Sequence, residues 1–433
     1  VLSGYYGFDN SGDEAVLQSI LLALRAEGEA AGIQVEPIVL SGNPDHTRQM
    51  YGVEAVHRMK PAELWGAIRR CDGVISGGGS LLQDATGKLS IPYYLGVLKL
   101  AQWLGKPTYI YSQGIGPVER PVYFRPIRRI FSRCRYVSVR DRESAELLQR
   151  MGYTGAVAVV PDPVMGLPLQ QERAADDRIG AADNSSTPAH AVEALVRTDD
   201  TGPTSEWLAR TDDTMPDAEL LTRPGEIAPD AEALAGADDT ASAARLPVVG
   251  VSVRFWNADR SELAALAAAL VELRQLRQVE LRFLPFHLPG DIEASHEVIR
   301  RMGTGTAAEG PPPVVLSEGL EHPQRMLAEV ASCDLVIGMR LHALIYAASQ
   351  QVPVVGISYD PKIDQFLNRL GMLPAATTAA FDSSAFAHQV DELLWTRTEW
   401  QADKVGLIRE LKQEASRPAQ HILADQCKKR GRS

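Results

Sequence analysis

The chain has 433 residues, 45% hydrophobic and 23% charged, a composition that fits an ordinary globular protein with two full domains and additional segments. Its net charge of −11 is uneven: residues 166–245 hold 17 acidic and 6 basic side chains, so the remainder is neutral and lacks the basic signature of a nucleic-acid binder. No run of about 18 apolar residues offers a membrane span, no stretch reads as a signal peptide, and Cys71, Cys134, Cys333 and Cys427 are spaced for neither a zinc site nor a disulfide framework, which makes a reducing cytoplasm the expected setting.

In chain order, Val1-Leu2-Ser3 reads as the tail of a first strand, with a few residues of it missing from this numbering. The glycine-rich segment Gly4 to Glu14 and a helical run from Ala15 to Ala26 follow. Val35–Leu40, Gly73–Ser76, Pro107–Ser112 and Tyr136–Val139 are short apolar runs, each followed by glycine, serine or a charge and then by helix-compatible sequence. That alternation predicts a parallel sheet covered by helices over residues 1–165, with the polar residues after each strand gathered at one edge. Residues 166–245 break the rhythm: they are rich in Ala, Asp, Thr and Pro, with acidic pairs at irregular spacing. Such a segment buries too little apolar surface to offset ordering entropy, so an acidic insertion without fixed structure is expected, with short helices near residues 191–196 and 231–235.

A second α/β unit is predicted over 246–395, with strands at Leu246–Arg254, Val279–Leu284, Val314–Leu316, Leu335–Ile337 and Val352–Ile357. Ser383 and Thr398 read as caps of two C-terminal helices, and residues 396–433 as a last helix with a basic tail. The tail is a frayed solvated end or a weak contact with anionic lipid. The most informative segment is Gly338-Met339-Arg340-Leu341-His342-Ala343, where a strand passes into a helix. A strand's carboxyl end followed by a helix N-terminus is where open α/β folds bind anions. A fixed cation and an imidazole there suit chemistry on an anionic substrate; the plainer alternative is a capped helix with locally paired side chains.

Other segments join it in order: Gly4 to Glu14, Ser76-Gly77-Gly78-Gly79-Ser80 with Asp84, Ser112 to Pro117 including Gln113, Ser138 to Ser144 around Arg140, Leu284 to His287, and Ser358-Tyr359-Asp360-Pro361-Lys362. Together they resemble the polysaccharide pyruvyl transferase family, over roughly residues 1–165 and 246–395, and within it the CsaB-type enzymes of bacterial cell-wall polysaccharide. The resemblance implies two Rossmann-like, doubly wound α/β domains facing across a cleft, as in the GT-B architecture. It implies transfer of the enolpyruvyl group of phosphoenolpyruvate onto two hydroxyls of a sugar, forming a pyruvate ketal and releasing phosphate. The acceptor it suggests is N-acetylmannosamine in a lipid-linked saccharide precursor, met at the inner face of the membrane, where peripheral contact is expected. No metal and no cofactor beyond this co-substrate is called for.

A donor carrying phosphate and carboxylate needs fixed cations, for which arginine's planar fork is suited. Arg140, Arg254, Arg340 and Lys362 are the candidates placed after strands, Arg140 and Arg340 foremost. His342 is the expected acid and base; His287, also ending a strand, is the rival and more plausibly binds substrate or phosphate. Gly78 and Gly79 let backbone approach a ligand, and Asn10, Asp13, Asp84 and Gln113 are the side chains suited to sugar hydroxyls, with Ser358 and Tyr359 on the donor side. A GT-B glycosyltransferase using a nucleotide sugar is the alternative; it usually has a Glu-rich ribose-binding segment, which is not seen here. A non-catalytic glycan scaffold would be expected to lack the Arg340–His342 pair.

Overall fold

The computed structural model describes residues 1–8, 10–84, 89–170, 245–303, 313–320 and 322–430; most of the acidic insertion, with its expected short helices, lies outside the described residues. The N-terminal half runs β1 (Leu2–Ser3), α1 (Ser11–Ala30), β2 (Ile38–Ser41), α2 (Pro44–Tyr51), β3 (Glu54–His57), α3 (Pro61–Arg70), β4 (Val74–Gly77), β5 (Ser80–Leu82), α4 (Ser90–Trp103), β6 (Thr108–Ile115), α5 (Phe124–Phe131), β7 (Tyr136–Val139), α6 (Arg142–Arg150) and β8 (Ala158–Val159). The C-terminal half runs β9 (Val248–Ser252), α7 (Ser261–Leu276), β10 (Glu280–Phe283), α8 (Gly290–Arg301), β11 (Val314–Leu316), α9 (Pro323–Ala331), β12 (Leu335–Gly338), α10 (Leu341–Ser349), β13 (Val354–Ser358), α11 (Pro361–Arg369), β14 (Ala376–Thr377), α12 (Ser383–Trp395) and α13 (Arg397–Arg430).

Both sheets are parallel, in the orders β3-β2-β1-β4-β6-β7-β8, with β5 beside β6, and β11-β10-β9-β12-β13-β14. In each the chain builds outward from one central strand and then resumes on its other side. The direction therefore reverses between β1 and β4 in one sheet and between β9 and β12 in the other. Those two switch points are where the strand ends leave a crevice for ligand. The Gly4–Asn10 and Gly77–Gly79 loops leave the first; Val253-Arg254 and Met339–His342 leave the second. The central strands are buried on both faces, Val249, Val251, Leu335, Val336 and Ile337 being fully buried, which is why they read as continuous apolar runs.

Local chemistry fixes the elements that carry the loops. The Asn10 side chain accepts from the Gly12 and Asp13 amides at 3.0 and 3.4 Å, capping α1, and Asp13 and Glu14 favour its positive end. Val16, Leu17, Ile20 and Leu21 form its buried stripe. The short strands β3, β5, β8 and β14 have no counterpart among the expected strands; two to four residues give no readable alternation. Asp382, not Ser383, caps α12, its side chain accepting from Ser384 and Ala385, and Thr398 lies inside α13.

The two sheets are tied at several places. The Ser11 amide donates to the Phe286 carbonyl at 3.0 Å, and Asn10 and His287 form an antiparallel bridge. Helix α13 returns to the first domain: the Tyr109 hydroxyl donates to Asp425 at 2.7 Å and Gln426 donates to the Tyr109 oxygen at 2.9 Å. One apolar cluster accordingly runs through Val16 and Leu17 of α1, Met165, Ala343 to Ala348 of α10, and Leu411 and Ile422 of α13.

Gly78 is where the first switch point is most tightly specified. Its φ is +60°, and a Cβ there would lie 1.8 Å from Val16 Cγ1. Gly78→Ala should lower unfolding stability by about 2–4 kcal/mol, combining left-handed backbone strain with overpacking. Urea titration of the two proteins checks this; a loss within about 0.5 kcal/mol would mean that α1 and the glycine loop are not locked together.

Candidate active site

Arg140 follows β7 and lies almost wholly buried. One guanidinium nitrogen donates to Asp162 at 2.9 Å, another to the Ser80 hydroxyl at 2.9 Å, and Asp141 stands 3.7 Å from Nε. Asp162 is itself buried, and its other oxygen accepts the Val164 amide at 3.1 Å, closing the turn Pro163–Gly166. These acids push the Arg140 pKa up although burial opposes them.

His342, in the first turn of α10, points at the same carboxylate: Nε2 is 3.9 Å from Asp162 Oδ2 and has no hydrogen-bond partner among the described residues. Its ring lies against Gly12, where a Cβ would come within 2.2 Å of Nδ1, so glycine at the start of α1 is what admits the imidazole. Burial pulls its pKa down to about 4; Asp162 resists, while Arg140 and Arg340 reinforce the drop. At neutral pH the imidazole is thus neutral until something anionic joins it.

Arg340, at the N-cap of α10, holds Asp291 in a two-pronged ion pair, with Nε donating at 3.0 Å and a terminal nitrogen closer still. Asp291 is fully buried and also accepts the Phe286 and His287 amides at 3.1 and 2.9 Å. The His287 pKa is lowered by burial first and then by Arg340, with Arg254 adding to it. Arg254, after β9, donates to the Tyr359 hydroxyl at 2.8 Å and lies over the rings of Tyr359 and Trp256. Among the described residues no carboxylate pairs with it. Lys362, with Asp360 at 3.7 Å, has its pKa lowered chiefly by burial and also by Arg140. Ser358 is committed to Asp364 at 2.8 Å.

Across from these stands Asp13, in the first turn of α1. Its carboxyl has no hydrogen-bond partner among the described residues, and a Cβ on Gly79 would come within 2.8 Å of it. Burial raises its pKa to about 7; Arg140 opposes this, and Glu14 and Asp162 add to it. The other acceptor-side candidates are differently occupied. Asn10 caps α1. Asp84 accepts the Glu119 and Arg120 amides at 2.9 Å each, pinning a turn. Gln113 is fully buried, its Oε1 accepting from Ser76 at 3.3 Å and its Nε2 without a partner, so it offers a ligand no surface.

The structure thus brings Arg140, Arg340, His342, His287, Arg254, Tyr359, Lys362 and Asp13 into one electrostatic neighbourhood. Sequence reasoning missed Asp162 and Asp291, the carboxylates that hold the two foremost arginines. Each had a signal: Asp162 is a lone acid between two prolines after an apolar run, and Asp291 lies in a helix's first turn just past His287.

The family described as polysaccharide pyruvyl transferase matches residues 10–361. No curated protein matches the chain in sequence. Among solved structures, a putative UDP-N-acetylglucosamine 2-epimerase from Listeria monocytogenes is similar at a TM-score of 0.55 and 10% identity, covering 100% of this chain and 97% of that one. The UDP-GlcNAc 2-epimerase of Neisseria meningitidis gives 0.55 and 9%, covering 98% and 99%. HepE of Anabaena, solved with UDP-glucose, gives 0.54 and 10%, covering 99% and 98%. At these identities the likeness establishes the fold: two Rossmann-like domains in the GT-B arrangement.

Asp162→Asn should cost about 3–5 kcal/mol, because it leaves Arg140 buried without its counter-charge; a urea midpoint unchanged from wild type would remove Asp162 from this role. The two titrating groups predict opposite pH trends. Asp13 keeps its proton in the folded state up to about pH 7, whereas the unfolded chain releases it near 4, so wild-type stability falls across that range. Relative to wild type, Asp13→Asn should therefore gain stability as pH rises from 4 to 7. His342 is protonated in the unfolded chain at higher pH than in the folded one, so wild-type stability rises from pH 4 to 6.5 and His342→Asn should lose stability relative to wild type across that range. Parallel trends for both variants would contradict the two environments.

Proposed function

The chain belongs to the polysaccharide pyruvyl transferase family, and from that premise we propose that it moves the enolpyruvyl group of phosphoenolpyruvate onto two hydroxyls of one sugar, leaving a pyruvate ketal and inorganic phosphate. The observation that carries the reading is the neutral, unpartnered Nε2 of His342, set between Arg340 and Arg140 where the ligand edges of both sheets meet. Phosphoenolpyruvate brings a phosphate and a carboxylate to this point. Burial chiefly holds the imidazole neutral, with Arg140 and Arg340 adding to it; the donor's charge opposes those arginines, so the His342 pKa climbs as the donor binds.

His342 then delivers a proton to the methylene carbon, and a sugar hydroxyl adds to the neighbouring carbon as the double bond is lost. The second hydroxyl displaces phosphate from that carbon, completing the ketal; its proton leaves with phosphate or through a base. His342, having given its proton to carbon, takes up that of the first hydroxyl, and Asp13, whose pKa burial raises to about 7, hydrogen-bonds the acceptor. Arg254, with no carboxylate partner among the described residues, supplies donor charge together with Lys362, and Arg340 and Arg140 stabilise the negative charge that moves during transfer. His287 and Tyr359 complete the donor side, and Gly78 and Gly79 let the acceptor lie close to the backbone. The likeness to CsaB-type enzymes supports N-acetylmannosamine in a lipid-linked cell-wall precursor as the acceptor, met at the inner face of the membrane.

The test is phosphate release from phosphoenolpyruvate with and without β-N-acetylmannosaminides, with the product examined for a ketal. Acceptor-dependent release that His342→Ala abolishes, at least a thousandfold and with the fold intact, is expected. Binding of a nucleotide sugar without binding of phosphoenolpyruvate would overturn the reading in favour of glycosyl transfer.

A further inference from the structure

Residues 89–135 hold eight basic side chains and a single acidic one, Glu119, although the chain outside the acidic segment 166–245 is neutral as a whole. Part of this charge gathers at one place. The chain enters β6 through Lys106-Pro107 and β7 through Arg133–Arg135, so these cations lie at the amino edge of the first sheet, opposite the loops that build the cleft. With Gln102 of α4 and Asp425 and Lys428 of α13 they line a pocket of about 480 Å³. Asp425, the one carboxylate of that lining, already accepts from the Tyr109 hydroxyl at 2.7 Å. Among the described residues Lys99, Lys106, Arg133 and Arg135 pair with no carboxylate, whereas Lys60 and Arg70, at the two ends of α3, pair with Glu63 and Glu54.

Beside the pocket stand two exposed tryptophans. Trp103, at the end of α4, is 72% exposed and Trp65 of α3 is 38% exposed, with their rings 5.7 Å apart. Lys99 lies one turn before Trp103 and Arg69 one turn after Trp65, both exposed, so cation and indole share the outward stripe of each helix. The inward stripes carry Ile68, Val97 and Ala101, packed on Leu40 and Val74. Val39 and Ile75 of the same two strands turn the other way, into the apolar cluster of α1 that joins the domains. The α3–α4 layer therefore covers the opposite face of the first sheet. Nothing in the pyruvyl-transfer chemistry uses it.

Exposed indoles among unpaired cations match a membrane surface, where aromatic rings sit at head-group level and basic side chains meet anionic lipid. The two indoles lean on each other at 57° and offer no pair of open faces on which bases could stack. We propose that the α3–α4 face, with the pocket at its edge, is a docking surface for an anionic phospholipid bilayer. Trp65 and Trp103 enter the head-group zone, Lys99, Lys106, Arg133 and Arg135 meet lipid phosphates, and the pocket receives one head group. The inference stands on this face and not on pyruvyl transfer, and it places membrane contact on folded elements rather than on the basic tail. Because the pocket opens at the amino edge, docking leaves the cleft at the carboxyl edge uncovered.

Vesicle co-sedimentation of the full chain tests it, with phosphatidylcholine vesicles and with vesicles of equal parts phosphatidylcholine and phosphatidylglycerol. Wild type should bind the anionic vesicles at least about tenfold more tightly, and added salt should weaken that binding. The triple variant Lys99→Gln/Arg133→Gln/Arg135→Gln should lose about tenfold on anionic vesicles while its affinity for phosphoenolpyruvate, measured by calorimetry, stays at the wild-type value. Tryptophan emission should shift to the blue when wild type meets anionic vesicles, and Trp103→Ser should remove most of that shift. Equal affinity for both vesicle types, no binding to either, or wild-type binding by the triple variant overturns the surface. Loss of binding only when Lys429, Arg430 and Arg432 are changed to Gln returns the contact to the tail and also overturns it. Tighter binding of a single-stranded oligonucleotide than of anionic vesicles assigns the face to nucleic acid instead. Should the triple variant not fold, the emission shift decides: its presence in wild type and loss in Trp103→Ser supports the surface, and its absence from wild type overturns it.

Discussion

Asp162 stands between the charged groups of the two domains at the cleft. It lies in the first domain's final turn, accepts from Arg140 of the same domain at 2.9 Å, and stands 3.9 Å from His342 of the other. A buried carboxylate between a fixed cation and a titratable ring sets three things together. It offsets the charge of Arg140, orients that guanidinium against Ser80, and gives the imidazole an acid neighbour that keeps it from losing all affinity for a proton. The surrounding packing follows from having to bury this group: Val164, Met165 and Leu167 immediately after it are fully covered, and α1, α10 and α13 close over them.

The arginines of the cleft fall into two electrostatic kinds, and the difference bears on how the site handles charge. Arg140 and Arg340 are each half of a buried ion pair, so they contribute orientation and local field with little net charge. Arg254 has aromatic neighbours and, among the described residues, no carboxylate partner, so it carries net positive charge into the site. Preorganised pairs stabilise charge that moves during reaction, because they need not reorganise when it moves. Uncompensated cations instead draw in ligands that arrive already charged. The first kind sits nearest His342, and Arg254 leaves the central strand β9 at the second switch point.

Much of this arrangement is legible in the sequence, for a physical reason. Strands buried on both faces must be continuous apolar runs, so β4, β6, β7, β9, β12 and β13 declare themselves. In a parallel sheet the residues that follow those runs collect at one edge, so Arg254, Arg340, His342 and Lys362 share the edge of the second sheet and Arg140 that of the first; that the two edges face each other was implied only by the family resemblance. Their counter-charges were not legible. Asp162 and Asp291 are acids in turns, indistinguishable by type from Asp84, whose oxygens only pin a turn. Which acid meets which arginine depends on separations of 22 and 49 residues closed by the fold. Gln113 likewise reads as a cleft amide because it follows β6's apolar start, yet β6 extends through it to Ile115 and buries it.

His342 and Asp13 invert the usual order of an acid and an imidazole, and the cause is where each is buried. The imidazole lies between two arginines, so desolvation and repulsion both favour its neutral form. The carboxyl lies near two other acids without a hydrogen-bond donor, so desolvation and repulsion favour its protonated form as well. At neutral pH the cleft therefore has a proton acceptor on the second domain and a half-protonated acid on the first. In the proposed transfer, the charge of an anionic donor would raise the proton affinity of both groups. A reaction that begins by protonating carbon needs its proton in place when the donor is in place, and under that proposal the donor's own charge would bring the proton in.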